Sequence, residues 1–336
     1  SEDRKKLSSL IESYQDIKID LPKFNYLNHV NLYWKKIKEI KYISDLRENK
    51  METSQTPLLS DQLSALVTVF LSSSPRPQDA RDDNAGAIML HQALLSVRQA
   101  LGLSRCRTVC IFDGRHPALS DEQWLAYQRK VKLIRADPLF ADVNIIEHKE
   151  WLHQAHGLKR AMMSHMNPTC PIVFSIQDDT VCFGHMNVGL IVAALLGRLQ
   201  GPKVEYVKLY WRRDLVLEKS DLRSVSPSHY SYETQPAIPH PATELLHETH
   251  FWSDRPHFAL RSHYESRVWP RIAVEDRVTM EQACEQASSE DKNWGLWIYG
   301  PRGDMRRESH SKYARGNVDG SLSSYFVRTR TPVVVE

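Results

Sequence analysis

The stretch CPIVFSIQDD, residues 170–179, decides the fold class. Its apolar centre has the length of a buried β-strand, and it ends in two adjacent carboxylates. Other short apolar runs flank it along the chain, and each is separated from the next by a longer stretch of helical periodicity. The predicted strands lie in residues 63–74, 107–114, 142–150, 170–179 and 203–211, and the predicted helices in residues 84–103, 121–137, 151–166 and 185–199.

This alternation of strands and helices predicts an α/β domain with a mainly parallel sheet and helices on both of its faces. In such sheets, ligands bind at the carboxyl ends of the strands. The residues at the carboxyl ends of the predicted strands are polar, so we expect them to line one crevice. They are Ser72, Ser73 and Ser74 at the end of the first strand, Asp113 at the end of the second, and Gln177, Asp178 and Asp179 at the end of the fourth.

The first 50 residues differ in composition from the rest of the chain. They carry 11 basic and 8 acidic side chains, whereas residues 51–336 carry 33 of each. Their basic residues are nine lysines and two arginines, against nine lysines and twenty-four arginines in the remainder. Two stretches of helical periodicity flank Pro22. We therefore expect a short N-terminal helical extension and linker of separate origin in residues 1–57, and one α/β domain in residues 58–336.

Composition and charge narrow the class of protein. Charged residues make up 25% of the chain and hydrophobic residues 41%, which is typical of a globular domain. The sequence has neither a long apolar run nor the apolar core of a signal peptide, which predicts a soluble, intracellular and cytoplasmic protein. The five cysteines show no zinc-site spacing. The balanced charge of residues 51–336 argues against a large nucleic-acid footprint.

Asp178 and Asp179 close an otherwise apolar strand, where two carboxylates are costly unless a cation compensates them. Mg²⁺ or Mn²⁺ takes oxygen ligands and bridges them to phosphates, which suits a nucleoside diphosphate. Because side chains alternate along a strand, we expect only one of the two, Asp179, to bind the ion directly. The alternative is that Asp179 caps the helix that follows.

Four of these segments, taken in order, resemble the GT-A-fold glycosyltransferases, and loosely those of family 2. They are VTVFLSSSPRP (67–77), CIFDG (110–114), HGLKRAMM (156–163) and IVFSIQDD (172–179), followed by a tryptophan-rich C-terminal part. The resemblance covers about residues 64–315. It implies a GT-A-like fold and a nucleoside diphosphate sugar as donor, with Mn²⁺ or Mg²⁺ as cofactor. The chain departs from the family in lacking a complete DxD motif.

The resemblance also implies roles for individual residues. The end of the first strand would hold the nucleotide, and Asp113 would contact its base. A helix start at Gly157 would face the ribose and diphosphate. Lys159 and Arg160 would neutralise the pyrophosphate, although a solvated basic helix face explains them equally well. The implied donor-binding set is Ser72, Ser73, Ser74, Asp113, Gly157, Lys159, Arg160 and Asp178, and the implied metal ligands are Asp179 and His310.

Two carboxylates are candidates for the catalytic base under this resemblance. The segment HFWSDRPH, residues 250–257, would lie on the acceptor side, where Trp252 could stack on the acceptor and Asp254 could accept a hydroxyl proton. Glu275 resembles the ED-type motif in which family 2 enzymes place their base. Simpler roles are open for both residues: Asp254 as a loop cap, and Glu275 in a first helical turn favoured by the helix dipole.

The sequence therefore predicts a metal-assisted, inverting glycosyltransferase. One alternative is a nucleotidyltransferase, which shares the layout but normally has a glycine-rich first loop that SSSPRPQDARDD does not provide. Another is a domain that binds a nucleotide sugar or a partner without turnover, because the DxD motif is incomplete. The acceptor could be a glycan, a protein, a small molecule or a modified base. A Rossmann dehydrogenase is disfavoured because no GxGxxG follows a predicted strand.

Overall fold

A computed structural model describes most of the α/β region. The described residues are 60–76, 85–182, 186–209, 242–243, 245–249, 252–272, 280–299 and 326–328. The predicted N-terminal extension, residues 1–57, lies outside them, as do the predicted site residues Glu275 and His310. Within the described ranges, no helix is both long and apolar enough to cross a membrane.

Four successive β-α units form the first half of the sheet, as the sequence predicts. Helix α1 (Ser60–Leu66) precedes them, so Leu63–Leu66, which the sequence analysis included in the first strand, are helical. A short strand, β5 (Thr180–Cys182), lies inside the fourth unit. The units are β1 (Val67–Ser73) with α2 (Ala85–Gln99), β2 (Arg107–Phe112) with α3 (Asp121–Ala136), β3 (Asn144–Glu147) with α4 (His153–His165), and β4 (Ile172–Gln177) with α5 (Val188–Leu195).

The second half of the chain adds shorter elements. A continuous helical segment begins with α6 (Arg261–His263), continues as a π-helical turn (Tyr264–Val268) and ends as a 3₁₀ turn (Trp269–Arg271). The remaining described elements are β6 (Tyr206–Leu209), β7 (Leu246–Glu248), β8 (His257–Leu260), α7 (Met280–Glu290), β9 (Leu296–Tyr299) and β10 (Phe326–Arg328).

Eight of these strands form one sheet in the order β3-β2-β1-β4-β8-β6-β9-β7. The pairs β3-β2, β2-β1, β1-β4 and β6-β9 are parallel, whereas β8 runs antiparallel to both of its neighbours and β7 runs antiparallel to β9. Six of the eight strands therefore point in one direction. The predicted α/β class, with a mainly parallel sheet flanked by helices, is confirmed.

Each face of the sheet packs against its own set of helices. In β1, Val69 and Leu71 belong to a core that includes residues of α2, α3 and α5, whereas Phe70 belongs to a second core with residues of α4 and α7. This is the alternation expected of a strand buried on both faces. We call the first side the α3 face and the second the α4 face.

The strand β8 was not predicted from the sequence. Its four residues, HFAL, show no alternation, but they pair with β4 on one side and β6 on the other, and three of the four are buried. β5 was also missed, because its pairing partner is β10 at the far end of the chain. Both strands depend on partners that are distant in sequence, which local pattern does not reveal.

Candidate active site

The pleat of the sheet sends the polar strand ends to two different faces. In β4, Ile176 packs in the core of the α3 face and Val173 in that of the α4 face. Because side chains alternate, Asp178 follows Ile176 onto the α3 face, and Gln177 follows Val173 onto the α4 face. The same alternation places Ser73 on the α3 face.

Ser72 and Asp113 lie on the α4 face by the same rule. Ser72 follows Phe70 in β1, and Asp113 follows Ile111 in β2, and both apolar residues belong to the core of the α4 face. The register of β1 and β4 pairs Ser72 with Gln177. The α4 face of the crevice therefore brings together one hydroxyl, one carboxylate and one amide from three neighbouring strand ends.

The α3 face carries a buried ion-pair network around Asp178. Lys130 Nζ lies 2.6 Å from Asp178 Oδ2, and Ser73 Oγ donates to the same oxygen over 2.6 Å. Arg76 pairs with the other oxygen, Oδ1. Asp178 and Lys130 are 1% and 2% exposed. Burial opposes the charge of Asp178, but Lys130 and Arg76 outweigh it and hold the pKa of the carboxyl below its ordinary value. This network compensates the charge of Asp178 within the protein.

Tyr127 joins the same face of the sheet to α3. Its hydroxyl donates to the carbonyl of Ser73 over 2.7 Å and accepts from the amide of Asp113 over 3.1 Å. Its ring lies edge-on to Phe112. The ends of β1 and β2 are thus fixed to one helix from the α3 side. This contact also holds in place the backbone that carries the residues on the opposite face.

Asp179 was predicted to bind a divalent ion. It is 4% exposed, Thr180 Oγ1 donates to its Oδ1 over 3.2 Å, and Arg76 Nη2 lies 3.5 Å from its Oδ2. Within the described residues, no three His, Cys, Asp or Glu side chains form a group that could hold a metal ion. Because Asp178 is already paired with two cations, the residues described at this strand end do not fit a divalent ion. Metal binding by Asp179 and His310 stays a prediction.

Asp113 is the buried acceptor on the α4 face. Its Oδ1 accepts the backbone N–H groups of Gly114 and Leu152, each over 2.8 Å, whereas Oδ2 is buried without a partner in the described part of the chain. Burial raises the pKa of the carboxyl, and the two backbone hydrogen bonds offset this only in part. A buried acceptor atom left unsatisfied is costly, so Oδ2 is suited to receive a donor from a ligand.

The chain approaches Asp113 closely enough to require glycine next to it. A Cβ on Gly114 would lie 2.1 Å from the carbonyl carbon of Glu150. Leu152, two residues after Glu150, donates its backbone N–H to Asp113. His153 then begins α4 with φ at 61°, in the left-handed region. The loop between β3 and α4 is therefore held tightly against the end of β2, and this fixes where α4 starts.

Two histidines accompany Asp113. Burial lowers the pKa of both His148 and His153, while the nearby Asp113 carboxylate opposes the shift in each. Both imidazoles are therefore neutral at pH 7. His148 Nε2 and His153 Nδ1 are buried without a partner among the described residues, and so is Ser72 Oγ. The α4 face thus collects several polar atoms that the described residues do not satisfy.

Gln177 connects β4 to two other elements on the α4 face. Its Nε2 donates to Gln154 Oε1 of α4 over 3.2 Å and to Asp254 Oδ2 over 3.0 Å. All three side chains are partly buried. Asp254, predicted as one of two candidate bases, is therefore placed at the carboxyl end of β4. Gln154, the other partner of Gln177, lies two residues after Leu152, whose amide donates to Asp113, so the start of α4 links the two carboxylates through Gln177.

The loop that carries Asp254 is fixed at its backbone. Glu281 of α7 accepts from Ser253 Oγ over 2.5 Å and from the Asp254 amide over 3.3 Å. Tyr206 donates to the Ser253 carbonyl over 2.5 Å, and His257 Nδ1 contacts the Arg255 carbonyl over 2.6 Å. Trp252, which the sequence analysis placed against an acceptor, is 1% exposed and packs in the core of the α4 face. Trp252 therefore anchors the loop, and its ring is not available for stacking.

The residues predicted around the start of α4 occupy different positions along it. The helix begins at His153, so Gly157 lies inside it, and a Cβ there would meet no atom closer than 3.7 Å. Close backbone approach does not explain this glycine. Lys159 lies 6.0 Å over the ring of Trp269, and Arg160 is exposed, although its charge helps to lower the pKa of His148 after burial. Ser74, also predicted, follows β1 and is partly buried.

Lys130, Gln154, Glu281 and Arg76 are among the site residues that were missed from the sequence. Lys130 had a visible signal, because it falls on the buried stripe of α3 with Tyr127, Val131 and Ile134, where a lysine is unusual. Gln154 and Glu281 carry no local signal, since their roles depend on contacts with distant loops. Arg76 lies in the predicted crevice segment but was not assigned a partner.

No protein-family model and no curated protein matches the chain. The solved structures with a similar fold include residues 1–349 of TarS from S. aureus, at 10% identity and a TM-score of 0.40, with 71% of this chain and 59% of that chain covered. They also include a UDP-glucose pyrophosphorylase complexed with UDP-glucose, at 10% identity and a TM-score of 0.37, with 71% and 92% covered. The chain thus spans about three fifths of the TarS fragment. Likenesses of this extent say nothing about activity.

Proposed function

We propose that the protein is a glycosyltransferase that binds a nucleoside diphosphate sugar along the α4 face of the crevice and transfers the sugar to a hydroxyl group. The observation that carries this proposal is the contact between Gln177 and Asp254 over 3.0 Å. It places a carboxylate at the strand-end edge where Asp113 holds an unsatisfied acceptor oxygen. Under this proposal, Asp254 would accept the hydroxyl proton and Asp113 would bind the nucleotide base in the same crevice.

Asp113 would bind the nucleotide base. Oδ2 is the oxygen that has no partner among the described residues, whereas Oδ1 accepts two backbone N–H groups. A single free oxygen suits a base with one ring N–H between two carbonyl groups, which is uracil. Guanine presents a ring N–H beside an amino group and is better matched by both oxygens of a carboxylate. The proposed donor is therefore a uridine diphosphate sugar.

Asp254 would act as the general base. The acceptor oxygen attacks the anomeric carbon, Asp254 takes the hydroxyl proton, and the bond from the anomeric carbon to the diphosphate oxygen breaks, so the nucleoside diphosphate leaves with the electron pair. A direct displacement of this kind inverts the anomeric centre. Gln177 and Glu281 support the step by fixing the carboxylate and its backbone. Glu275, the other predicted base, stays a prediction.

The experiment is a thermal-shift and calorimetric screen of nucleoside diphosphate sugars, followed by an assay for released uridine diphosphate. A ligand at 100 times its Kd stabilises by about 2.7 kcal/mol, which a thermal shift detects. Binding of a nucleotide sugar together with release of uridine diphosphate supports sugar transfer. Release that depends on Asp254 supports the role of Asp254 as general base. Binding without release for any acceptor offered would identify a non-catalytic domain. Pyrophosphate formed from uridine triphosphate and a sugar phosphate would identify a nucleotidyltransferase.

A further inference from the structure

We propose that the guanidinium of Arg76 binds the diphosphate of the donor in this crevice and takes the place of a divalent cation. Donor binding would then need no added metal ion. The proposal rests on the proposed function and deepens it, because it names the group that holds the diphosphate in the same site.

The order of the strands places the backbone of Arg76 beyond the end of β1, and its guanidinium contacts both Asp178 on the α3 face and the adjacent Asp179. β1 lies between β2 and β4 in the sheet, and Arg76 follows β1 by three residues. Asp113 ends β2 and Gln177 ends β4, so their backbones lie two strand spacings apart, roughly 10 Å. A ligand that reaches from Asp113 to Gln177 must cross the end of β1. The part of a nucleotide sugar between its base and its sugar is the diphosphate.

Among the described residues at this strand end, the charges balance. Asp178 and Asp179 contribute two negative charges, and Lys130 and Arg76 contribute two positive ones. Both oxygens of Asp178 have partners: Lys130 and Ser73 at Oδ2, and Arg76 at Oδ1. A dication bound by Asp179 would face the Arg76 guanidinium, which lies 3.5 Å from that carboxylate. Repulsion from a fixed cation at this distance opposes metal binding.

The guanidinium of Arg76 is held in place and partly exposed to solvent. Both of its contacts with the two aspartates use Nη2, and the side chain is 17% exposed. A guanidinium has five N–H donors in a planar fork that suits a phosphate with two parallel hydrogen bonds. Because Asp178 and Asp179 fix its direction, Arg76 would need no reorganisation as negative charge builds up on the departing diphosphate.

The test measures binding of uridine diphosphate and of uridine diphosphate sugars by calorimetry, with a chelator and then with Mn²⁺ or Mg²⁺. We expect affinities that differ less than about threefold between the two conditions, since one fixed charge serves in both. Arg76→Ala should weaken binding by about 10- to 100-fold, the range of a charge-assisted hydrogen bond, and Arg76→Lys should fall between it and the wild type.

Arg98→Ala is the matched control, because Arg98 is 16% exposed and pairs with Asp142 outside the crevice. It should bind the donor like the wild type. The metal comparison uses the unchanged chain, so it stands even if Arg76→Ala fails to fold. Wild-type binding that appears only with Mn²⁺ or Mg²⁺ would overturn the role of Arg76 and leave the proposed function intact. Binding in neither condition would overturn the proposed function, and this inference with it.

Discussion

Lys130 Nζ and Asp178 Oδ2 lie 2.6 Å apart in an ion pair that is almost completely buried. Removing one partner of such a pair leaves an uncompensated charge in the protein interior. Lys130→Met should therefore lower the free energy of unfolding by about 3 to 5 kcal/mol, measured by urea denaturation. The exposed Lys132→Met, on the same helix, should change it by less than about 0.5 kcal/mol.

The double variant Lys130→Met with Asp178→Asn separates the lost charge pair from lost packing. Because it removes both charges, it should be more stable than Lys130→Met alone. A double variant less stable than either single variant would mean that the side-chain stem of Lys130, and not its charge, supports the fold.

Asp113→Asn tests the unsatisfied oxygen on the α4 face. An asparagine can still accept the amides of Gly114 and Leu152 at Oδ1, but it replaces the acceptor Oδ2 with an N–H₂ donor. The variant should fold normally and bind the donor about 10- to 100-fold more weakly by calorimetry. Unchanged donor affinity in this variant would remove Asp113 from the base site.

The pH dependence of donor binding should reflect the ionisation of Asp113. Burial raises the pKa of Asp113, so its charge is lost at a higher pH than that of an ordinary aspartate. Donor affinity should fall on acidification at a pH above the ordinary aspartate range, and Asp113→Asn should lack this component. Profiles of the same shape in both proteins would assign the titration to another group.

Asp254→Asn should lower kcat by about 100- to 10,000-fold, the usual contribution of a positioned base, and leave donor affinity nearly unchanged. Glu281→Gln should lower kcat by a smaller factor, because it weakens the hold on the Ser253 hydroxyl and the Asp254 amide without removing the carboxylate. Glu290→Gln, at the exposed end of the same helix, is the control. If Asp254→Asn keeps full turnover and Glu275→Gln does not, the base is Glu275.

Glu205→Gln should reduce stability in a pH-dependent way. Hydrogen bonds from His263 and Lys203 lower the pKa of Glu205 to about 2. A carboxyl whose pKa is lower in the folded than in the unfolded state adds stability at pH values above its unfolded-state pKa. This added stability is lost as the pH falls toward the folded-state pKa. The variant should lose about 2 to 3 kcal/mol at pH 7, and roughly half of that difference should remain near pH 3. Urea denaturation at both pH values measures it, and an equal loss at both would exclude the charge as the cause.

Local pattern predicted the first half of the sheet well. Strands β1 to β4 and helices α2 to α5 lie within the stretches identified from their periodicity, because each is a complete β-α unit with its own apolar face. The error at Leu63 arose because an apolar run does not show where a helix gives way to a strand. β8 was missed because its stability comes from β4 and β6, which are distant in sequence.

The site was predicted in part. The strand ends that hold Ser72, Asp113 and Gln177 were found, because parallel strands bring their carboxyl ends to one edge. The separation of Asp178 from these residues follows from the pleat, which sends it toward Lys130 on the opposite face. The pairing of Asp254 with Gln177 required the antiparallel insertion of β8, which residues near Asp254 do not specify.

That insertion also sets the order in which the crevice is assembled as the chain folds. The β-α units from β1 to β4 are joined by short connections, whereas β8 must close a loop of about 80 residues to pair with β4. Asp113 is positioned by the local units, but Asp254 reaches the crevice only when β8 enters the sheet. In a refolding chain we therefore expect Asp113 to be positioned before Asp254.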